Sequence, residues 1–165
     1  MGGRKHLLTM AVSKTKASFI EPMLLLRTES LPEGPNWLVE LKLDGYRALA
    51  IKTAGTVELR SRNNNDFSQR FPAPLKALSA MPDETVVDGE LVALDEEGRP
   101  SFNALQNYGS PKVPVFFYAF DLLILSARNV MNETLETRRE LLEQKVLSKL
   151  KEPNPLLAYP FGEPH

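Results

Sequence analysis

The chain has 165 residues, no cysteine and a formal net charge of −1. That length can enclose a hydrophobic core in one ordinary domain. The missing cysteines exclude disulfides and thiolate metal sites. The near-zero charge excludes a global field that draws in nucleic acid, so any such surface must be a local patch. The composition, 42% hydrophobic and 25% charged, is that of a soluble globular protein, and no apolar run approaches the ~20 residues of a membrane helix.

Residues 1–17 carry Arg4, Lys5, Lys14 and Lys16 around a short, broken apolar stretch. They read as a flexible basic arm or a cloning remnant, and residues 18–165 as the folded unit. Phe19 to Leu26 opens the ordered part, with Pro22 arguing for an irregular or edge position. Residues 31–36, rich in proline and glycine, form a loop. From Trp37 to Asp44 polar and apolar residues alternate. Val39, Leu41 and Leu43 fall on one side, Glu40, Lys42 and Asp44 on the other, and Gly45 ends the run. This pattern predicts a strand whose polar face holds a lysine between two acids. It fits a surface ladder of ion pairs or a nucleophile on a pocket wall.

Alternation resumes from Tyr46 to Lys52. Thr53-Ala54-Gly55 reads as a hairpin turn and Val57–Arg62 as the returning strand. Asn63 to Asp66 is a polar loop whose residues tolerate left-handed backbone. A short helix follows two prolines at Leu75–Met81. Thr85–Leu94 is a strand closed by the turn Asp95-Glu96-Glu97-Gly98. Ser101 caps a short helix running to Gln106. Val113–Leu125, the most apolar run, reads as a central strand. Thr134–Leu150 has helical spacing, with Thr134 and Thr137 as candidate caps. The fold class is α+β, with mixed, mainly antiparallel sheets and flanking helices. Arg60, Arg62, Arg70 and Lys76 are the best candidates for a local basic patch, and Asp83–Glu97 is acidic. A solvated face is the plain reading of both runs, as it is for charge runs in general.

Four segments stand in order: Lys42-Leu43-Asp44-Gly45-Tyr46-Arg47, Ser61-Arg62-Asn63, Asp88-Gly89-Glu90-Leu91-Val92 and Phe117-Tyr118-Ala119-Phe120-Asp121-Leu122-Leu123. Lys-x-Asp-Gly alone is a weak motif. The four together resemble the nucleotidyltransferase (adenylation) domain of ATP-dependent DNA ligases, above all the bacterial end-joining type. Phe19-Ile-Glu-Pro-Met-Leu, Asp66-Phe67, Arg70-Phe71-Pro72, Ser101-Phe102, Leu105-Gln106 and Leu135-Glu-Thr-Arg-Arg agree, so the likeness covers roughly residues 19–145.

The resemblance implies an ATP-grasp-like nucleotidyltransferase fold and a covalent lysine–AMP intermediate, with Lys42 attacking the α-phosphate of ATP. A lysine amine, ordinarily protonated at neutral pH, has to be desolvated or assisted to do so. The resemblance also implies that Glu40, or its neighbouring backbone at Leu41, reads the adenine edge; a plain ion partner of Lys42 is the alternative for Glu40. It places Arg47 and Arg62 near ribose and phosphates, where a guanidinium fork suits phosphate oxygens. It places Glu90 at the ribose and on the metal side, with Mg2+ or Mn2+ as the ion. Asp88 is left with the role of a brace within its strand. Phe120 stacks on the base, although an ordinary core phenylalanine fits its periodicity equally well.

The family's later Glu-Gly-x-x-x-Lys and Lys-x-Lys segments and its OB domain do not occur in these 165 residues, so the likeness is to the N-terminal part of the domain. By that resemblance, this chain on its own does not complete nick sealing. Nucleotide binding can remain, and self-adenylation, if it occurs, is slow. The implied partners are nicked or broken duplex DNA, read without sequence preference, and end-joining repair proteins. No membrane is involved, and the setting is the bacterial cytoplasm, at the nucleoid. A non-catalytic nucleotide- or DNA-end-binding module derived from a ligase is the alternative.

Overall fold

A computed structural model describes residues 13–40, 42–109, 113–150 and 156–158. Strands β1 (Tyr46–Thr53) and β2 (Thr56–Ser61) form a hairpin, followed by helix α1 (Pro72–Leu78), β3 (Thr85–Ala93) and α2 (Phe102–Gln106). Then come β4 (Val115–Leu125), the short β5 (Arg128–Asn129), α3 (Leu135–Leu141) and β6 (Leu156–Ala158). The sheet order is β2-β1-β3-β4-β5, with β6 also pairing with β4. All pairings are antiparallel except β4–β6, which is parallel. The expected α+β class with a mainly antiparallel sheet is therefore the one observed.

Local chemistry explains most of these elements. The β1–β2 turn places Ala54 at φ 49° and Gly55 at φ 77°, the left-handed pair that matches the twist of a two-residue hairpin. Helix α1 begins at the prolines themselves rather than behind them, since proline's missing N–H costs nothing in the first turn. The Ser101 hydroxyl accepts from the Ala104 N–H, and the Thr134 hydroxyl from the Thr137 N–H, capping α2 and α3. Beyond α3 the chain continues as a π-helical turn (Leu142–Val146) and a 3-10 turn (Leu147–Lys149).

Strand alternation divides the sheet into two faces. Ala48, Ala50, Val87, Leu91, Phe117 and Ala119 bury against the helices in the main core. Leu49, Ile51, Val86 and Ile124 point the other way and are covered by Ala17, Phe19 and Ile20. That cover is pinned. Thr15 N–H donates to the Ala127 carbonyl at 2.7 Å, and Ala17 N–H donates to the Glu84 carboxylate at 2.7 Å. Residues 1–12 of the proposed basic arm lie outside the described residues.

One expectation fails. The described residues of 37–44 form no regular strand, and none of the described strands pairs with them. Both edges of β1, the strand directly after them, are already taken by β2 and β3. Trp37 and Val39 are 61% and 65% exposed, so the apolar side of the alternation buries little. A period of two marks what a strand would bury, but it supplies no partner for the backbone.

Gly89 is required by close packing. It lies next to a register shift between β3 and β4, and a Cβ there would stand 2.5 Å from both the Phe117 ring and the Tyr118 carbonyl oxygen. Because one of those atoms is backbone, Gly89→Ala is expected to cost at least the about 1–3 kcal/mol of an overpacked core. A thermal melt should show a drop of about 5 °C or more; an unchanged midpoint would mean that the strand can shift without cost.

Candidate functional site

The second face of the sheet carries a polar end beyond its small apolar core. Arg47 on β1, Asp88 and Glu90 on β3 and Phe120 on β4 meet there, since Arg47 pairs with Glu90 in the β1–β3 register. Arg47 donates to both Asp88 oxygens, from Nε at 2.6 Å and Nη2 at 2.7 Å. Its guanidinium carbon stands 4.5 Å from the Phe120 ring centroid, a cation–π distance. Asp88 is only 4% exposed. Burial opposes the Arg47 charge, but the Asp88 ion pair outweighs it and holds the guanidinium above its ordinary value. On Asp88 the balance is reversed: burial lifts the carboxyl above its ordinary range against the pull of Arg47. The two-pronged 2.6–2.7 Å contact is the geometry of a charged pair. Asp88, read from sequence as a strand brace, is thus the brace of Arg47.

Glu90 is half-buried. Burial raises its carboxyl to about 6, while Arg47, Lys42 and the Gly45 N–H pull it down and Asp88 pushes it up. A carboxyl whose folded pKa lies above its unfolded one favours the fold below about pH 4.5, and this advantage is lost as pH rises through about 6. Glu90→Gln is therefore expected to stabilise the protein at neutral pH, by about 1 kcal/mol after allowance for its partial exposure. Melts of both proteins at about pH 4 and about pH 7.5 check it: a gain at the higher pH that vanishes at the lower is the expected result.

Lys42 stands on the irregular segment just before β1. Its Nζ lies 3.2 Å from Asp44, with both side chains more than 70% exposed. Glu40 does not pair with Lys42. Its carboxylate meets Arg139 of α3 at 2.5 Å, and the Arg139 Nε–H donates to the Phe120 carbonyl at 3.2 Å. The neighbouring Arg138 grips Asp121 through two bonds of 2.7 and 2.8 Å.

Two adjoining cavities result. One, of about 580 Å³, is lined by Lys42, Gly45, Tyr46, Arg47, Arg62 and Glu90 among others. The other, of about 320 Å³, is lined by Leu25, Leu38, Glu40, Lys42, Leu43, Arg47, Glu90 and Phe120. Leu25, Lys42, Arg47 and Glu90 line both; Arg62 lines one alone, and Glu40 and Phe120 the other. Leu41 lies outside the described residues. The basic patch expected at the rim is thinner than its sequence suggests. Arg60 is paired with Glu58 at 2.7 Å, and Arg70 lies over Tyr46 and Phe71. Of the three arginines expected at the edge, Arg62 is the one that lines a cavity. Among the described residues no three acidic or histidine side chains cluster as a metal site, and no helix is long and apolar enough to cross a membrane.

Arg139 and the Arg47–Asp88 pair went unassigned from sequence. The Arg138-Arg139 doublet was visible as part of a likeness, but helical spacing gives no sign of which strand it reaches.

Residues 22–156 match the family described as ATP dependent DNA ligase domain. The multifunctional non-homologous end joining protein LigD of Pseudomonas aeruginosa is 38% identical over 138 residues, which is 82% of this chain and 16% of that protein. LigD of Mycobacterium tuberculosis is 45% identical over 109 residues, 65% of this chain and 14% of that protein. Among solved structures, a mycobacterial DNA ligase D complexed with ATP and MES superposes with a TM-score of 0.58 at 37% identity, covering 71% of this chain and 38% of that one. The ligase domain of Mycobacterium tuberculosis LigD gives 0.54 at 41% identity, covering 63% and 35%. The chain therefore spans about one sixth of the length of these curated relatives and little more than a third of the solved chains.

Proposed function

Because the chain belongs to the ATP-dependent DNA ligase domain family, we propose that its paired cavities bind ATP and that Lys42 takes AMP from it as the first step of DNA end joining. The observation that carries this reading is that Lys42, Arg47 and Glu90 line both cavities, one of which Arg62 lines and the other Phe120. A nucleotide asks for the same two partners: a guanidinium for its charged phosphate chain and an aromatic ring for its flat base.

Each residue then has a task. The Lys42 Nζ attacks the α-phosphorus, a P–N bond forms, the bond to the bridging oxygen breaks, and pyrophosphate leaves. The amine proton passes to solvent. Arg62, exposed on the rim of the larger cavity, meets the phosphates, and Arg47 holds the ribose–phosphate side from a position fixed by Asp88. Phe120 offers its ring to the adenine, a contact worth ~1–3 kcal/mol. Glu40, which lines the cavity of Phe120, meets the base edge. Glu90 is the carboxylate that would hold Mg2+ or Mn2+. One carboxylate suffices when triphosphate oxygens and water complete the shell, and the ion would neutralise charge on the departing pyrophosphate. The substrate this chemistry serves is nicked or broken duplex DNA, sealed between 5′-phosphate and 3′-hydroxyl, in a bacterial nucleoid alongside other end-joining proteins. With one exposed arginine on the rim, DNA binding by this chain is weak and salt-dependent.

The test is an end-point mass measurement after prolonged incubation with ATP and magnesium, which detects even a single slow turnover. A mass increase of one AMP, mapped to the peptide containing Lys42, supports the proposal. No adduct, or an adduct on another residue, would overturn it.

A further inference from the structure

We propose that Arg139 is a positioning residue: by tying Glu40 to the Phe120 carbonyl it sets where the Lys42 segment lies against the base-stacking ring. The inference rests on the nucleotide site proposed above and adds a residue to it. Arg139 is 6% exposed and lines neither cavity, so it does not reach a bound nucleotide. One edge of its guanidinium takes the backbone of Phe120 at 3.2 Å, and another takes the Glu40 carboxylate at 2.5 Å. The described residues of 37–44 have no strand partner, and Trp37, Leu38 and Val39 are largely exposed. Glu40 and Lys42 both line the cavity that contains Phe120. A charged contact between a buried arginine and a carboxylate two residues from Lys42 is therefore the strongest described restraint on this segment. Arg138 does not share the task, since both of its prongs are committed to Asp121.

The role needs a fork, not simply a positive charge. A lysine at 139 cannot hold a backbone carbonyl and a carboxylate in fixed directions at once. The test compares wild type, Arg139→Lys, Glu40→Ala and the double variant by three measurements: ATP affinity, anisotropy decay of Trp37 and the thermal midpoint. Trp37 is the chain's single tryptophan and lies three residues from Glu40, so its nanosecond motion reports on the segment.

Arg139→Lys is expected to weaken ATP binding roughly 10-fold, about 1.4 kcal/mol, and to enlarge the fast component of the Trp37 decay. In the Glu40→Ala background it should have no further effect on either, because the two residues act through one contact. If Arg139 merely stabilises α3, the midpoint falls equally in both backgrounds while affinity and Trp37 motion stay unchanged, and the proposal is overturned. Failure of the underlying reading looks different: AMP would be absent from Lys42 in the wild type, and the Trp37 comparison would still judge the tie.

Discussion

Replacing Lys42 by alanine is expected to abolish covalent AMP capture and to leave the thermal midpoint within measurement error of wild type. The two halves of this result have separate causes. Among the described residues no other lysine lines either cavity, and Lys42 lines both, as Glu90 and Arg47 do. A missing nucleophile cannot be replaced by better binding, because the P–N bond has no other donor there. Stability should be indifferent because the described ionic partner of Lys42 is Asp44, and both side chains are largely exposed. Exposed pairs of this kind contribute about 0–1 kcal/mol. The measurement is the end-point mass assay run beside a melt of each protein. Lys42-independent AMP capture, or a variant that fails to fold, would show that the lysine has been given the wrong role.

The second large effect concerns Arg47. Its loss leaves Asp88 4% exposed without its guanidinium partner, and removing one member of a buried ion pair typically costs about 3–5 kcal/mol. Arg47→Ala should therefore lower the denaturant midpoint steeply and also strip the guanidinium from the face of Phe120. The double variant Arg47→Ala/Asp88→Asn should recover a substantial part of the stability, since the stranded charge is gone, but none of the nucleotide affinity. That separation distinguishes the carboxylate's structural need from the arginine's contact with ligand. Arg47→Lys should recover little of either, because an ammonium cannot reproduce the two-pronged contact. Equal stability of Arg47→Ala and wild type would mean that water reaches Asp88 freely.

The elements legible in the sequence were those whose chemistry is local. The hairpin over Ala54-Gly55, the Ser101 and Thr134 caps and the apolar runs of β3 and β4 each depend on neighbours a few residues away. Chain order together with resemblance picked out Glu40, Lys42, Arg47, Glu90 and Phe120, and these residues do line the adjoining cavities. What the sequence hid was pairing at a distance. Alternation from Trp37 to Asp44 suggested a strand, but whether a sheet edge is open to receive it depends on residues far along the chain. Glu40 suggested a partner in Lys42, two residues away, whereas its partner is Arg139, nearly one hundred residues on. Arg60 and Arg70 looked like surface charges for DNA, yet a carboxylate and two aromatic rings of the same chain already engage them.

Gly45 fits against β3 so closely that a Cβ there would stand 2.2 Å from the Leu91 carbonyl oxygen. It is therefore packed directly on the sheet, and Lys42 stands three residues upstream of it. Extended chain covers at most ~3.3–3.6 Å per residue, so the lysine's backbone is leashed to within ~10 Å of that glycine. Phe120, Arg47 and Glu90 stand on strands of the sheet, and Lys42 stands on the segment tethered to it. Whatever sequence of steps the lysine serves, the tether limits how far its backbone can stand from the sheet, and this confinement does for encounter frequency what a high local concentration would do in solution.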